Sequence, residues 1–576
     1  MLLAGSAVLV AALVCLGYGV LAVHSLQSRH PAFVAATTVG DVALIGYMSV
    51  ATFATVANFF LPLSSFMTTA ICLGGLLALP IGYRLLAVRT GPLRGALPLV
   101  ALLAVLCFYF GSFIPGSTAA HYDTGLYHVQ AIRQIMEYPM LLGTANIHMR
   151  FGYNSSLFPA AAALSGTGFG YPGLVTSNAL LMSFISLAIV QRSLAWSSRD
   201  GSRAAIFGIL MIGITAFTPI LSFRDWAGTP NTDFPSSLAI LYAFYLSLLM
   251  SDRQQGQIPG PGTGPEAVLL MAVLAFAISL KLTAIPVVLL VAIPMLTWRG
   301  NQLRRRELMG GLACAAAIGL PWLARGIGTS GCLAYPLPSS CLPVPWRVTL
   351  GVVQSDQNWM RAWSRKPATL PQTVLSDWAW FPEWLAGLAR EPALPAFVGL
   401  SLLLALCLSA RLLLLTAGAP RGSRNPGRIV DRAVLFAIAI IGLAFWFLIA
   451  PLLRYGASWT VLPLALLIAF FFPLSVRYDG KLHHLTPPVL CASLLVALSL
   501  LAVGDVTRRA INRPATGDPF EIPQAEVQSR GVHAGIPVFV PAAGYQCWDA
   551  PRICTPHLRD GVRFSPFLWT WVISPY

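Results

Sequence analysis

The chain has 576 residues, of which 56% are hydrophobic and only 10% charged, against roughly 25% charged in an ordinary soluble domain. That composition excludes a soluble globular protein and points to an all-α polytopic membrane protein. The net charge of +16 sits in short connections such as RLLAVRTGPLR, WRGNQLRRREL and APRGSRNPGRIVDR. This is the pattern that orients membrane helices and needs no anionic partner, so no nucleic acid is expected.

Apolar runs recur at the length that crosses a hydrocarbon core of about 30 Å. In chain order they predict helices near 3–23, 41–61, 66–84, 95–114, 172–191, 204–222, 234–251, 265–281, 283–298, 308–325, 393–415, 433–452, 457–475 and 487–504, about fourteen spans in all. The first run has no basic leader and no small-residue cleavage pattern, so it reads as a retained helix. With both ends outside, nearly every basic short loop falls on the cytoplasmic side. Only Arg224, Lys281 and Arg454 are then left in short outer loops. The expectation is a transmembrane unit over 1–504 in a bacterial inner (plasma) membrane and a small outer-face tail over 505–576, with no internal repeat.

Three polar loops face the periplasm or exterior in that topology, at about 115–171, 224–233 and 326–392. In the first, LFPAAAALSGTGFG (157–170) is too short to span and reads as a packed or re-entrant segment. The third carries Trp346, Trp359, Trp363, Trp378, Trp380 and Trp384. That density suits helices lying at the membrane interface, with a sugar-stacking surface as the alternative. PGPGTGP (259–265) is a cytoplasmic linker, and IPVFVPAA is a strand-like run in the tail. Cys15, Cys72, Cys107, Cys314, Cys407 and Cys491 lie in apolar runs, where a thiol is a small hydrophobe. Cys332, Cys341, Cys547 and Cys554 form two close pairs on the expected outer face. An oxidising compartment allows two local disulfides there, and their spacing is poor for zinc.

The chemistry-bearing residues gather on the same face. The first loop holds His121, Tyr122, Asp123, Tyr127 and His128. If this stretch is a surface helix, Asp123, Tyr127 and Gln130 share a side and a general base stands beside a hydroxyl nucleophile. Alternatively Asp123 merely caps that helix. The second loop, RDWAGTPNTD, adds Arg224, Asp225, Asn231 and Asp233, and Asn154 lies in the first. Two acidic loops on one side build a polar cavity. Their carboxylates are suited to a shared divalent ion, but no fixed ligand spacing exists, so no metal ligand is assigned and the cofactor is left open. Lys281, Arg325 and Arg454 stand at the outer ends of apolar runs, where a bare cation is expensive. Together they suggest a lipid-linked phosphate or diphosphate, while each alone is explained by snorkelling.

HYDTGLYH, the RDW…NTD loop, the late Arg454-Tyr455 turn followed by WTVLPL, and the trailing polar segment resemble the GT-C class of integral-membrane glycosyltransferases. The tail GYQCWDAPRICTP with HYDTGLYH is also similar to an uncharacterised group of polytopic bacterial membrane proteins. The GT-C resemblance implies transfer of a sugar from a polyprenyl-phosphate carrier to a lipid-linked glycan or protein acceptor on the outer face. It implies Asp123 as base and Arg454 with Tyr455 at the donor phosphate, Lys281 and Arg325 supporting. His121, Tyr127, His128, Asn154, Arg224, Asp225 and Asp233 then surround sugar or acceptor. The sequence departs from that class in having Thr124, not a second acid, after Asp123, and in its smaller tail. The alternatives are an O-antigen polymerase or ligase acting on a carrier lipid, and a transporter or flippase, which predicts midplane charges and repeated halves.

Overall fold

A computed structural model of the chain describes residues 2–27, 37–90, 96–167, 172–195, 203–217, 223–254, 263–299, 305–391, 426–471, 520–550, 553–559 and 561–575, with a few isolated positions besides. The spans expected near 393–415 and 487–504 fall largely or wholly outside those residues, as do parts of the linker 259–265 and of the segment 157–170.

The described chain is mostly helical. Its main helices are α1 (Leu2–Gln27), α2 (Val39–Asn58), α3 (Ser65–Thr90), α4 (Ala96–Gly111), α5 (Val129–Glu137), α6 (Leu157–Leu164), α7 (Pro172–Ala195) and α8 (Arg203–Phe217). They continue with α9 (Asp233–Gln254), α10 (Gly264–Leu280), α11 (Ala292–Arg299), α12 (Arg305–Ser330), α13 (Leu350–Arg365), α14 (Phe381–Leu388), α15 (Pro426–Ile449) and α16 (Leu453–Phe471). Among the described residues, 7 helices are long and apolar enough to cross a membrane, namely α1, α2, α7, α9, α12, α15 and α16. Shorter apolar helices lie at Ser65–Ile81, Pro98–Gly111, Arg203–Ala216, Gly264–Leu280 and Leu282–Leu296. The last begins with a 10-residue 3₁₀ stretch, Leu282–Val291. Its rise of about 2 Å per residue over that stretch, with about 1.5 Å per residue beyond it, gives the helix a reach of about 28 Å.

α7 and α9 are buried along their whole apolar length, whereas little of the apolar length of α12 and α15 is buried. The bundle is therefore centred on α7 and α9, with bare apolar side chains such as Leu320, Ile440 and Leu448 on its outside, where lipid takes the place of a protein neighbour. α1 and α2 approach closely because Gly46 has no Cβ. One placed there would meet the carbonyl oxygen of Cys15 at 1.7 Å, the small-residue contact typical of membrane helices.

Ionic groups occupy the two ends of this bundle. At one end Thr38 and Asp41 form a reciprocal capping box on α2. Asp41, fully buried, also takes Arg192 of α7 at 2.5 Å and accepts from the Tyr242 hydroxyl of α9. At the C-terminal end of α9 Arg203 meets Asp252 at 2.6 Å, and the Ser251 hydroxyl donates to Asp431 at 2.7 Å. The opposite end carries the first and third loops and the tail.

The tail folds as a three-stranded sheet, β1 (Val527–His533), β2 (Ile536–Pro541) and β3 (Ile553–Cys554), plus the hairpin β4 (Arg563–Phe567) and β5 (Thr570–Ser574). It docks on the first loop through backbone. Leu142 N donates to Trp571 O at 2.9 Å and Ile573 N to Leu142 O at 2.8 Å. Gln130, which the helix periodicity places beside Asp123, instead donates to the carbonyls of Trp548 and Ala550 and accepts from Cys554 N, each at 3.0 Å. Disulfides join Cys332 to Cys341 and Cys547 to Cys554.

The docking bends the first loop. Gly125 O accepts from both Cys547 N and Trp548 N, at 2.8 and 2.9 Å, and Thr124–His128 is a π-helical turn. A Cβ at Gly125 would meet the Trp548 ring at 2.5 Å. Gly125→Ala is expected to cost about 1–3 kcal/mol by overpacking and to loosen the tail. Limited proteolysis read with a C-terminal epitope checks this, and cleavage between residues 520 and 575 should accelerate.

The Trp-rich third loop packs against the end of α15. Trp378 and Trp380 stack at 5.5 Å between centroids and both lie against Phe447. Trp384 donates to Pro451 O at 2.7 Å, and Arg365 lies over the Trp380 ring while donating to Leu448 O. Trp378, Phe381 and Leu385 remain exposed.

Candidate functional site

Side chains from four separate stretches meet under the first loop. His121 and Asp123 come from the segment before the π-helical turn, Asp233 from the start of α9, Lys281 from the break after α10, and Arg454 and Tyr455 from the start of α16. Lys281 leaves the helix with φ −162° and ψ 137°, ending α10 and turning its ammonium inward. Trp459 of α16 fixes that break by donating to Thr283 O at 3.0 Å.

The contacts form two crossed ion pairs. Lys281 donates to Asp233 Oδ1. Arg454 Nη2 donates to Asp123 Oδ2 at 3.2 Å and to the Tyr455 hydroxyl at 3.2 Å. Arg454 Nη1 lies 3.0 Å from His121 Nε2, and Arg454 Nε lies 4.0 Å from Asp233 Oδ2. The Lys281 ammonium also sits over the Tyr455 ring, 4.3 Å from its centroid. Asp123 makes no capping bond to the helix that follows it, so its carboxylate is committed to Arg454.

Two cations balance two carboxylates here, with His121 caught between them. Its Nε2 faces an arginine donor on one side and Asp233 Oδ2 at 3.6 Å on the other, while its Nδ1 is buried without a partner among the described residues. If Nε2 accepts from Arg454, the proton on Nδ1 has nowhere to go. If Nε2 carries the proton, it opposes the arginine. Either tautomer leaves one buried nitrogen poorly matched, a cost that rearrangement around a ligand relieves. Burial pushes the Asp123 carboxyl up, but Arg454 foremost, then His121 and His128, outweigh it and hold Asp123 below the usual carboxylate value.

Behind His121 the wall is aromatic. His128 stacks on it at 5.6 Å between centroids, Trp226 meets it edge-on at 5.1 Å, and Tyr127 packs on His128. Burial, with His121 nearby, lowers the His128 imidazole to about 3. An unfolded chain protonates this group near 6.5, so between those values the unfolded state binds more protons and stability rises with pH. Acidification to about pH 5 is therefore expected to remove about 2 kcal/mol at His128. Unfolding temperatures of wild type and His128→Gln across that range check it, and the variant should show the shallower loss.

Arg150 reinforces the site from the third loop's side. It pairs at 3.2 Å with the fully buried Asp356 of α13, which also accepts from the Tyr335 hydroxyl at 2.9 Å, and its field reaches Asp123. Sequence reasoning missed this pair. Arg150 lies in the polar run HMRFGYNSS and Asp356 is the one acid in α13, so each was visible singly, but nothing linked them.

Other sequence candidates stand apart from the cluster. Arg325 donates to Asn58 Oδ1 at 2.9 Å. Asn154 exchanges bonds with Trp322, donating to its carbonyl at 2.6 Å. Arg224 lies over the Phe113 ring, Asp225 is exposed, and Asn231 accepts from Phe234 N to cap α9. Among the described residues no three His, Cys, Asp or Glu side chains gather as metal ligands.

The chain belongs to a family described as a domain of unknown function (DUF8201), whose family model matches residues 1–461. That stretch holds every member of the cluster, ends just beyond Arg454 and leaves out the tail. No curated protein matches the sequence, and no solved structure does.

Proposed function

We propose that this protein is a membrane glycosyltransferase that moves a sugar from a polyprenyl-phosphate carrier to an acceptor hydroxyl, with Asp123 as base and the cluster end of the bundle facing outward from a bacterial plasma membrane through about fourteen spans. The observation that carries the reading is the meeting of Asp123, Asp233, Lys281, Arg454 and His121 at one bundle end. A carboxylate base, cations for a leaving phosphate and a wall of aromatic rings are what such a transfer needs.

The pairing of the charges sets the order of events. A donor phosphodiester brings one negative charge to a cluster that is already balanced. Its oxygens compete with Asp123 for Arg454, and a phosphate engages a guanidinium through two donors at once. Asp123 is then released from the cation that depresses its proton affinity, and burial makes it a stronger base. The acceptor oxygen bonds to the anomeric carbon while its proton passes to Asp123. The bond from that carbon to the phosphate oxygen breaks, its electron pair staying on the phosphate beside Arg454 and Lys281.

The test is on membranes of a host expressing wild type beside Arg454→Ala, with polyprenyl-linked sugars extracted and surface glycans profiled by mass spectrometry. Accumulation of a polyprenyl-phosphate sugar with loss of one glycan residue type supports the reading and names the sugar. Shortening of glycans in repeat number alone transfers support to a carrier-lipid polymerase. An unchanged pool, with both proteins present, removes the enzyme reading.

A further inference from the structure

Arg325 presents a second feature, and it does not depend on the transfer reaction. The residue is 8% exposed, yet among the described residues its guanidinium makes a single hydrogen bond, to a neutral amide oxygen, Asn58 Oδ1. Among the described residues no carboxylate pairs with it. Arg192 and Arg203, buried to a similar degree, each hold an aspartate. Arg365 spends two donors on carbonyls and lies over Trp380. A buried cation with so little compensation is costly.

Arg325 faces a small cavity that also has Asn58, Gln134, Thr144, Asn154 and Thr329 on its walls. Two polar atoms there are buried without partners among the described residues, Gln134 Nε2 and Asn154 Oδ1. The cavity thus offers a cation, a spare amide donor and one spare acceptor. An oxyanion satisfies the first two, and an oxyanion that carries its own hydroxyl satisfies all three. A carboxylate lacks that hydroxyl, whereas a singly protonated phosphate has it.

We infer that the cavity around Arg325, Gln134 and Asn154 is a phosphate-binding site separate from the Asp123–Arg454 cluster. The two are neighbours across one aromatic wall. Tyr153 and Phe158 line the cavity, and on their other side Tyr153 meets Tyr127 and Phe158 meets His128. Occupancy fixes the end of α12 against α2 and the first loop, because Arg325, Asn58 and Gln134 belong to those three elements. Asn58 already ties them, donating to the carbonyls of Ile135 and Tyr138. The phosphate comes either free from solution, singly protonated, or on a lipid headgroup that supplies the hydroxyl itself, as the glycerol of phosphatidylglycerol does.

The experiment measures thermal unfolding of the full chain purified in detergent. Inorganic phosphate is titrated against chloride at equal ionic strength, and phosphatidylglycerol against phosphatidylcholine in mixed micelles. Wild type is expected to gain a few degrees from one of the two phosphate sources, which identifies the source, through preferential binding to the folded state. Gln134→Glu places a carboxylate in the cavity and removes no existing bond from Nε2, so it should fold, satisfy Arg325 internally and abolish the response. Arg325→Gln should abolish it too, and if that variant does not fold, Gln134→Glu decides alone. Arg454→Gln should retain the response. No stabilisation of wild type by either source, or a response that survives in Gln134→Glu, overturns the inference.

Discussion

Asp123→Asn is expected to reduce the proposed sugar transfer by roughly 10²–10⁴-fold, the usual contribution of a positioned general base, while donor binding stays level or tightens. The two halves of that expectation come from one geometry. Asp123 lies 3.2 Å from Arg454 Nη2, so in the free site the carboxylate occupies the donors that a phosphate needs. Removing its charge loses the proton acceptor and at the same time frees the guanidinium. A structural role for Asp123 predicts the reverse for binding, because loss of the pair would leave Arg454 misplaced. Titration of the variant with the lipid-linked donor therefore separates the alternatives. Weaker binding together with lost transfer would count Asp123 as a positioning residue, and undiminished transfer would remove it as the base. Arg454→Gln is expected to show the opposite split, with weakened donor binding.

The sequence makes some of this site legible and hides the rest, for physical reasons. HYDTGLYH, Lys281 and Arg454 stand out because charge among apolar runs is costly and rarely accidental. The helices are visible for a related reason, since a bilayer demands long apolar stretches, and the 7 described helices long and apolar enough to cross fall on such runs. Pairing is another matter. Asp233 sits 48 positions from Lys281, and only the packing of α9 against α10 makes them partners. The grouping of Arg325 with Lys281 and Arg454 followed from a shared bundle end, but distance along the membrane plane has no signature in a single chain. The face shared by Asp123 and Gln130 rested on a regular 3.6-residue repeat. The π-helical turn at Thr124–His128 breaks that phase, and its cause lies in Cys547 and Trp548, more than four hundred residues away. The tail's attachment to the first loop was hidden in the same way, since backbone bonds such as Leu142 to Trp571 leave no mark on residue type.

The second large effect is expected at the opposite end of the bundle. Asp41→Asn should destabilise the protein by about 3–5 kcal/mol, the cost of leaving one member of a buried ion pair without its partner. Asp41 is fully buried, and Arg192 is 6% exposed. The carboxylate accepts from both Nη atoms of Arg192, the Tyr242 hydroxyl and the backbone N–H and hydroxyl of Thr38, and an amide keeps only one of its two accepting oxygens. The double variant Asp41→Asn with Arg192→Met should recover much of the loss, because the uncompensated charge is the larger part of it. Unfolding of the two single variants and the double gives the coupling directly, and additive losses would show that the pair does not act as a unit. The contrast with the other end is what makes the comparison informative. Asp123 and Arg454 are each 23% exposed on their side chains, and His121 beside them keeps an unmatched nitrogen. The Asp41 pair is closed, with Asp41 fully buried and both of its oxygens taken, so its charges hold helices in place. The Asp123 pair is open and incompletely satisfied, so a ligand can replace one partner. Equal cuts at the two ends should therefore separate, with Asp41→Asn lowering stability and Asp123→Asn lowering transfer.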